Sequence, residues 1–182
     1  MFPLFYGLIK KKGRVSDLPS RFQTDLIILA SEVLFKLVVP LAHYRTIPRH
    51  EILDCMVTLL ESIPRVRSPA KLALVGFCKK IGETQLSETP SPIFEAEDTI
   101  MTQVLLNGLL SPEMCVREAC ASGLEYLALP RPLETLFDTR IWIAKHDVEE
   151  DVRVVASRLW DESHESRCIG PENLPGIINM TS

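Results

Sequence analysis

Three groups of residues carry side chains suited to chemistry. His43, His50 and Cys55 combine two imidazoles with a thiol, the donor types that hold zinc. A structural zinc site needs four ligands, and no second cysteine stands at ligand spacing from Cys55. Histidines beside a turn are instead expected to be solvated or to cap helix ends. Cys115 and Cys120 are five residues apart, which at about 100° per residue puts them on different faces of a helix, as core and near-core thiols. A catalytic cysteine requires a low pKa, partial exposure and a nearby histidine, whereas Cys120 falls on a predicted core face. Serine, histidine and aspartate occur, but no nucleophile elbow, glycine-rich phosphate loop or HExxH accompanies them. The eight glycines do not cluster, so no backbone cradle for a nucleotide is expected. The chain reads as non-enzymatic, with no cofactor, metal or small-molecule substrate.

Positive charge is the other candidate chemistry. Lys10, Lys11, Lys12 and Arg14 flank Gly13, where cations favour a helix C-terminus and glycine supplies its left-handed cap. The same group suits RNA phosphate, an electrostatic contact that needs no aromatic stacking. Arg45, Arg49, Arg65 and Arg67 fall at successive hairpin ends, and on one edge would form a basic rim for RNA or acidic protein. Glu149, Glu150 and Asp151 most simply stabilise a helix N-terminus, and would otherwise steer a basic partner. A net charge of −4 argues against a generally basic nucleic-acid binder.

The elements that position these side chains are helices. Strand and hairpin signals are nearly absent. Ser20 with Gln23, and Asp147 with Glu150, have capping-box spacing. Ser68–Pro69 and Ser111–Pro112 place a capping residue before a proline at the first helical position. Eight helices are predicted: 2–12, 21–42, 48–62, 69–81, 96–110, 112–128, 133–145 and 149–165. A polar loop over Gly82–Glu95 is predicted to interrupt the series.

Two segments repeat at an offset of 36 residues. Val116, Ala119, Cys120, Gly123, Leu124 and Leu127 take core slots that Val152, Val155, Ala156, Leu159 and Trp160 occupy again. Each run opens on Val-Arg, as Val116–Arg117 and Val152–Arg153. Ala70, Ala73, Leu74, Phe77, Cys78 and Ile81 show the same pattern. A recurring two-helix unit of this length predicts an all-α fold, an α-solenoid of about four HEAT-type helical hairpins over residues 1–165. Glycines and prolines predict a disordered tail over 166–182. Trp160 belongs to the core register, and Trp142, within Ile141–Ile143, is also expected in the core.

The chain ends read as cut rather than capped. Phe2, Leu4, Phe5, Leu8 and Ile9 have no preceding repeat to cover them. The apolar start is followed, not preceded, by its lysines, the wrong order for a signal peptide. Leu26–Ala42, broken by Glu32 and Lys36, is short for a bilayer span and is expected as a buried helix. Five cysteines without a CxxC pair indicate a reducing compartment.

The stretch Arg140–Glu162 resembles a segment of the general control non-derepressible family of translational activators. The resemblance rests on Arg140–Ile141–Trp142, the turn His146–Asp147 and the closing Leu159–Trp160–Asp161. Leu109–Leu127 resembles the family's preceding repeat; the likeness extends over about Ala96–Glu162 and is only pattern-level for Phe2–Ile81. It implies a section of a giant HEAT-repeat protein that associates with translating ribosomes in the cytosol. It further implies a role in activating the kinase of translation initiation factor two alpha during amino-acid starvation. The kinase-contacting domain of that family is not represented in this chain, so no kinase-binding residue is placed. Ribosomal RNA would then be the partner of Lys10, Lys11, Lys12, Arg14, Arg45, Arg49, Arg65 and Arg67. In HEAT arrays, arginines placed like Arg117 and Arg153 join a polar ladder between repeats, and Asp147 or Asp151 is the expected partner of Arg117. The competing reading is a HEAT adaptor for transport or phosphatase assembly that binds peptides or helices in a groove.

Overall fold

Apolar periodicity sets the helices, and proline and turn chemistry set their ends. The computed structural model describes residues 6–7, 20–43, 48–86 and 92–168. Helix α1 spans Ser20–Leu41, α2 Arg49–Ser62, α3 Arg67–Gln85 and α4 Pro92–Gly108. Helix α5 spans Met114–Leu124, α6 Glu134–Ala144 and α7 Glu150–Cys168. Short 3-10 turns, Pro64–Val66 and Arg131–Leu133, lead into α3 and α6. No strand occurs among the described residues, so this part of the chain is all-α.

The helices pack in two layers. Helices α1, α3, α5 and α7 follow one another in the first, and α2, α4 and α6 in the second. Across the layers α2 packs on α3, α4 on α5 and α6 on α7. The core lies between them. Ala70, Ala73, Leu74, Phe77, Cys78 and Ile81 of α3 are buried, as are Val116, Ala119, Cys120 and Leu124 of α5 and Val152, Val155, Ala156 and Leu159 of α7. Fully burying a large aliphatic or aromatic side chain contributes roughly 1.5–3 kcal/mol, so these stripes hold the layers together.

Several boundaries differ from those read in the sequence. Helix α3 starts at Arg67, because the Pro64–Val66 turn winds straight into it, and Ser68 does not cap it. Pro69 is tolerated there because a first-turn N–H has no intrahelical partner to lose. The predicted loop Gly82–Glu95 is helical at both ends, since α3 continues to Gln85 and α4 begins at Pro92; residues 87–91 lie outside the described residues. A Lys80–Glu83 pair at 2.7 Å and a Thr84 hydroxyl donating to the Lys80 carbonyl support that last turn. Helix α5 is shorter than the predicted 112–128, starting after Glu113.

Helix α1 is not the wholly buried helix expected. Ile27, Ala30, Leu34, Val38 and Ala42 face the core, while Phe22 and Leu29 are exposed on the other side. No helix among the described residues is long and apolar enough to cross a membrane. Of the predicted first helix only Tyr6 and Gly7 are described, and both are helical. Helix α7 runs on to Cys168, past the array end expected at 165; the rest of the expected tail, 169–182, lies outside the described residues.

Candidate interaction surface: an arginine ladder and an acidic cleft

The Val-Arg that opens each repeat places one side chain inward and the next toward the turn. Val116 and Val152 are fully buried. Arg117 and Arg153 fold back over the turns that precede their helices. Nη1 of Arg117 donates to the Ser111 and Pro112 carbonyls, both at 3.0 Å. Nη1 of Arg153 donates to the equivalent carbonyls of Asp147 and Val148 at 2.7 and 2.8 Å. The turns themselves match: the Ser111 hydroxyl accepts the Glu113 N–H at 3.3 Å, and the Asp147 carboxylate accepts the Glu149 N–H at 3.0 Å. Ser111 and Asp147 therefore act two residues ahead of the N-cap, as small side-chain turns rather than as helix caps.

The ladder then reaches forward. Nε and Nη2 of Arg117 donate to the two carboxylate oxygens of Asp147 at 2.7 and 3.0 Å, tying the α4–α5 pair to the turn before α7. Of the two partners that the likeness to HEAT arrays left open, Asp147 and Asp151, Arg117 takes Asp147. The Arg117 guanidinium, followed by the Glu149 N–H, holds the Asp147 carboxyl below the usual carboxylate range, against the opposing effect of burial. Arg117 is raised in turn by its bond to Asp147. One level earlier, Nε of Arg67 donates to the Leu60 carbonyl at 2.9 Å, and its Nη2 pairs with Glu113 at 2.8 Å. Ser111 adds a hydroxyl bond to Glu61 at 3.2 Å, and Lys71 pairs with Glu118.

These contacts revise the predicted basic rim. Arg49 is fully buried, with Nη2 donating to the Ala42 carbonyl and its backbone N–H donating to Glu97 at 3.0 Å. It holds the α1–α2 turn and offers nothing to RNA, because the carbonyl at the end of α1 draws its guanidinium inward. Arg67 is likewise engaged within the fold. Arg65 is exposed. Lys10, Lys11, Lys12, Arg14 and Arg45 lie outside the described residues.

Beside the ladder, between α2 and α4, an open cleft of about 340 Å³ is lined by Asp54, Thr58, Glu61, Val104, Asn107 and Ser111. Its polar groups are carboxylates, a hydroxyl pair and an amide, a lining suited to a cationic side chain. No spacing along the chain signals it, since Asp54 and Glu61 come to Asn107 only across the two helices.

The thiols are placed as their spacing implied. Cys55, Cys78 and Cys120 are buried, and Cys115 is partly exposed, its thiol 3.7 Å from the Leu60 carbonyl. Burial, reinforced by the neighbouring Cys120, pushes the Cys78 thiol far up, and burial pushes Cys120 up to about 12. Such thiols stay protonated and unreactive. No three His, Cys, Asp or Glu side chains converge as a metal-binding group among the described residues.

The tryptophans divide. Trp160 is partly buried against the core with the Lys145 ammonium 5.0 Å above its ring. Trp142, expected in the core, is 55% exposed and leans on His146 with ring centroids 4.7 Å apart. The apolar run Ile141–Ile143 concealed this, because only Ile141 of the three points inward. No protein-family model, curated protein or solved structure matches the chain.

Proposed function

We propose that this chain is a section of a HEAT-type α-solenoid scaffold, associated with translating ribosomes, that promotes activation of the initiation factor two alpha kinase in the amino-acid starvation response. It acts in the cytosol, by holding partners at set separations and so raising their effective concentration. The observation that carries the scaffold reading is the Arg117–Asp147 link, which joins one helix pair to the next. The ribosome and kinase reading rests on the resemblance of Ala96–Glu162 to the translational activators. Kinase contact belongs to regions outside this chain. RNA contact falls to Lys10, Lys11, Lys12, Arg14, Arg45 and Arg65, since Arg49 and Arg67 serve the fold.

Co-sedimentation of the purified chain with eukaryotic ribosomes tests this. Binding is expected at about 50 mM salt and is expected to fall steeply by about 200 mM, because phosphate contacts release counterions. Alanine at Lys10, Lys11 and Lys12 together should weaken it. A chain that stays in the supernatant at low salt overturns the ribosome reading.

The acidic cleft favours the second reading, an adaptor that binds a basic peptide. Glu61 and Asp54 would receive its lysine or arginine. Peptide binding lost on Glu61→Lys, without ribosome association, would put the adaptor first.

A further inference from the structure

The cleft between α2 and α4 lies inside the described fold, with α3 and α5 packed beneath the two helices. Its lining is not acidic alone. Val57 and Val104, both packed against the core, form its apolar part with Leu110. Asp54 and Glu61 stand on the α2 side, and the Ser111 hydroxyl reaches Glu61 across one end at 3.2 Å. The seven residues from Asp54 to Glu61 make two helical turns, so the two carboxylates share one side of α2, about 10.5 Å apart along its axis. Val57 and Thr58 fall between them.

Charge sets the two layers apart. Helices α2 and α4 carry Glu51, Asp54, Glu61, Glu95, Glu97 and Asp98. Their only arginine or lysine is Arg49, which is buried. Helix α3, in the other layer, carries four bases and one acid, Glu83. The cleft is therefore apolar at its centre and negative around it. That charge repels RNA, and a second copy of this chain brings a net charge of −4 to it. A basic polypeptide meets it with the opposite sign.

The spacing selects the form of that polypeptide. In a helix, residues i and i+7 lie two turns apart on one side with i+3 and i+4 between them, the spacing of Asp54, Val57, Thr58 and Glu61. An extended chain places side chains of one face about 6.6 or 13 Å apart, and neither distance matches. We propose, resting on the adaptor reading, that the α2–α4 cleft docks an amphipathic helix of a protein partner. This helix carries lysine or arginine at i and i+7 and a leucine-sized apolar residue at i+3 or i+4. The bases meet Asp54 and Glu61, and the apolar side chain enters between Val57 and Val104.

Fluorescence anisotropy of the full chain with labelled synthetic peptides tests this. The first peptide is an alanine-based helix with lysines at i and i+7 and leucine at i+4. A second, of the same composition, scatters these three residues over different faces, and a third has proline at i+3, which breaks the helix. The first should bind. The other two should bind about tenfold more weakly, because an ion pair and a buried apolar side chain are lost together. Glu61→Gln and Asp54→Asn should each weaken the first peptide about two- to fivefold, the range for an exposed ion pair, with circular dichroism unchanged. Glu61→Lys should abolish its binding, and a peptide with glutamate in place of one lysine should recover it. Equal binding of all three peptides overturns the helical register while the adaptor reading stands; failure of all three to bind overturns both. Binding indifferent to Glu61→Lys places the peptide elsewhere and overturns the proposal. Self-association of the chain that Glu61→Lys removes makes a second copy the occupant, with the same result.

Discussion

The guanidinium of Arg117 and the carboxylate of Asp147, 30 residues apart, meet through two parallel bonds of 2.7 and 3.0 Å, with side chains only 13% and 10% exposed. One side of the pair also binds the turn before α5 and the other binds the turn before α7. The contact is therefore a joint between two helix pairs rather than a surface ornament.

Removing that joint should loosen the last helix pair. Arg117→Ala is expected to cost about 1–3 kcal/mol, the range for charge-assisted bonds and for a partly buried acceptor left unpaired. Asp147→Ala should cost a similar amount, and the double variant clearly less than the sum. Urea unfolding of the four chains gives the coupling directly, and strict additivity would show that the two side chains act independently.

Acid should release the same joint. The folded carboxyl of Asp147 lies below its unfolded value, so the stability it contributes is present above about pH 4 and is lost as pH falls through the folded value. Glu125 has the opposite sign: burial raises its carboxyl against the opposing Arg158, which pairs with it at 2.7 Å. Its favourable effect is present at low pH and is lost as pH rises through the raised value. Urea midpoints between about pH 2 and 7 should show a shallower acid loss in Asp147→Asn than in the parent. Glu125→Gln should gain relative to the parent toward neutral pH.

Val116→Asp tests the core register. Val116 is fully buried, with one of its methyl groups packed toward Gly108 where α4 meets α5. A carboxyl there costs several kcal/mol or stays protonated. Loss of helical circular dichroism and of cooperative melting is the expected result. Val154→Asp, in α7 at a 53% exposed site outside that register, should be nearly neutral.

Gly82→Ala tests the approach of α3 to the turn after α5. A Cβ at residue 82 would run into the backbone carbonyl of Tyr126, which cannot rotate away as a side chain does. The expected cost is about 1–3 kcal/mol, read as a lower Tm with unchanged helix content. Gly76→Ala meets only a Val39 methyl at 3.3 Å and should cost much less.

The repeat was legible because it is local. Val116, Ala119 and Cys120, like Val152, Val155 and Ala156, fall on a helical period that any short window reveals, and all are buried. A partner for Arg117 came instead from the likeness to HEAT arrays, which left Asp147 and Asp151 both open, and the packing of the helices decided for Asp147. Arg49 was not legible. Its charge suggested a surface, yet the carbonyl of Ala42 draws it inside, a contact that depends on how α1 ends against α2. The bounds of the loop predicted over Gly82–Glu95 were too wide for a like reason. Its polar composition hid a helix whose Gly82 is pressed beneath Tyr126.

By itself the sequence determined the all-α class and the buried stripes of α3, α5 and α7. Those follow from side-chain period and from offsets within one chain, which are local quantities. Tertiary structure alone decided that Trp142 faces outward, that Asp54 and Glu61 share a cleft with Asn107, and that Arg49 turns inward to the Ala42 carbonyl. Exposure and encounter depend on which surface a neighbouring helix covers, and no spacing along the chain encodes a neighbour.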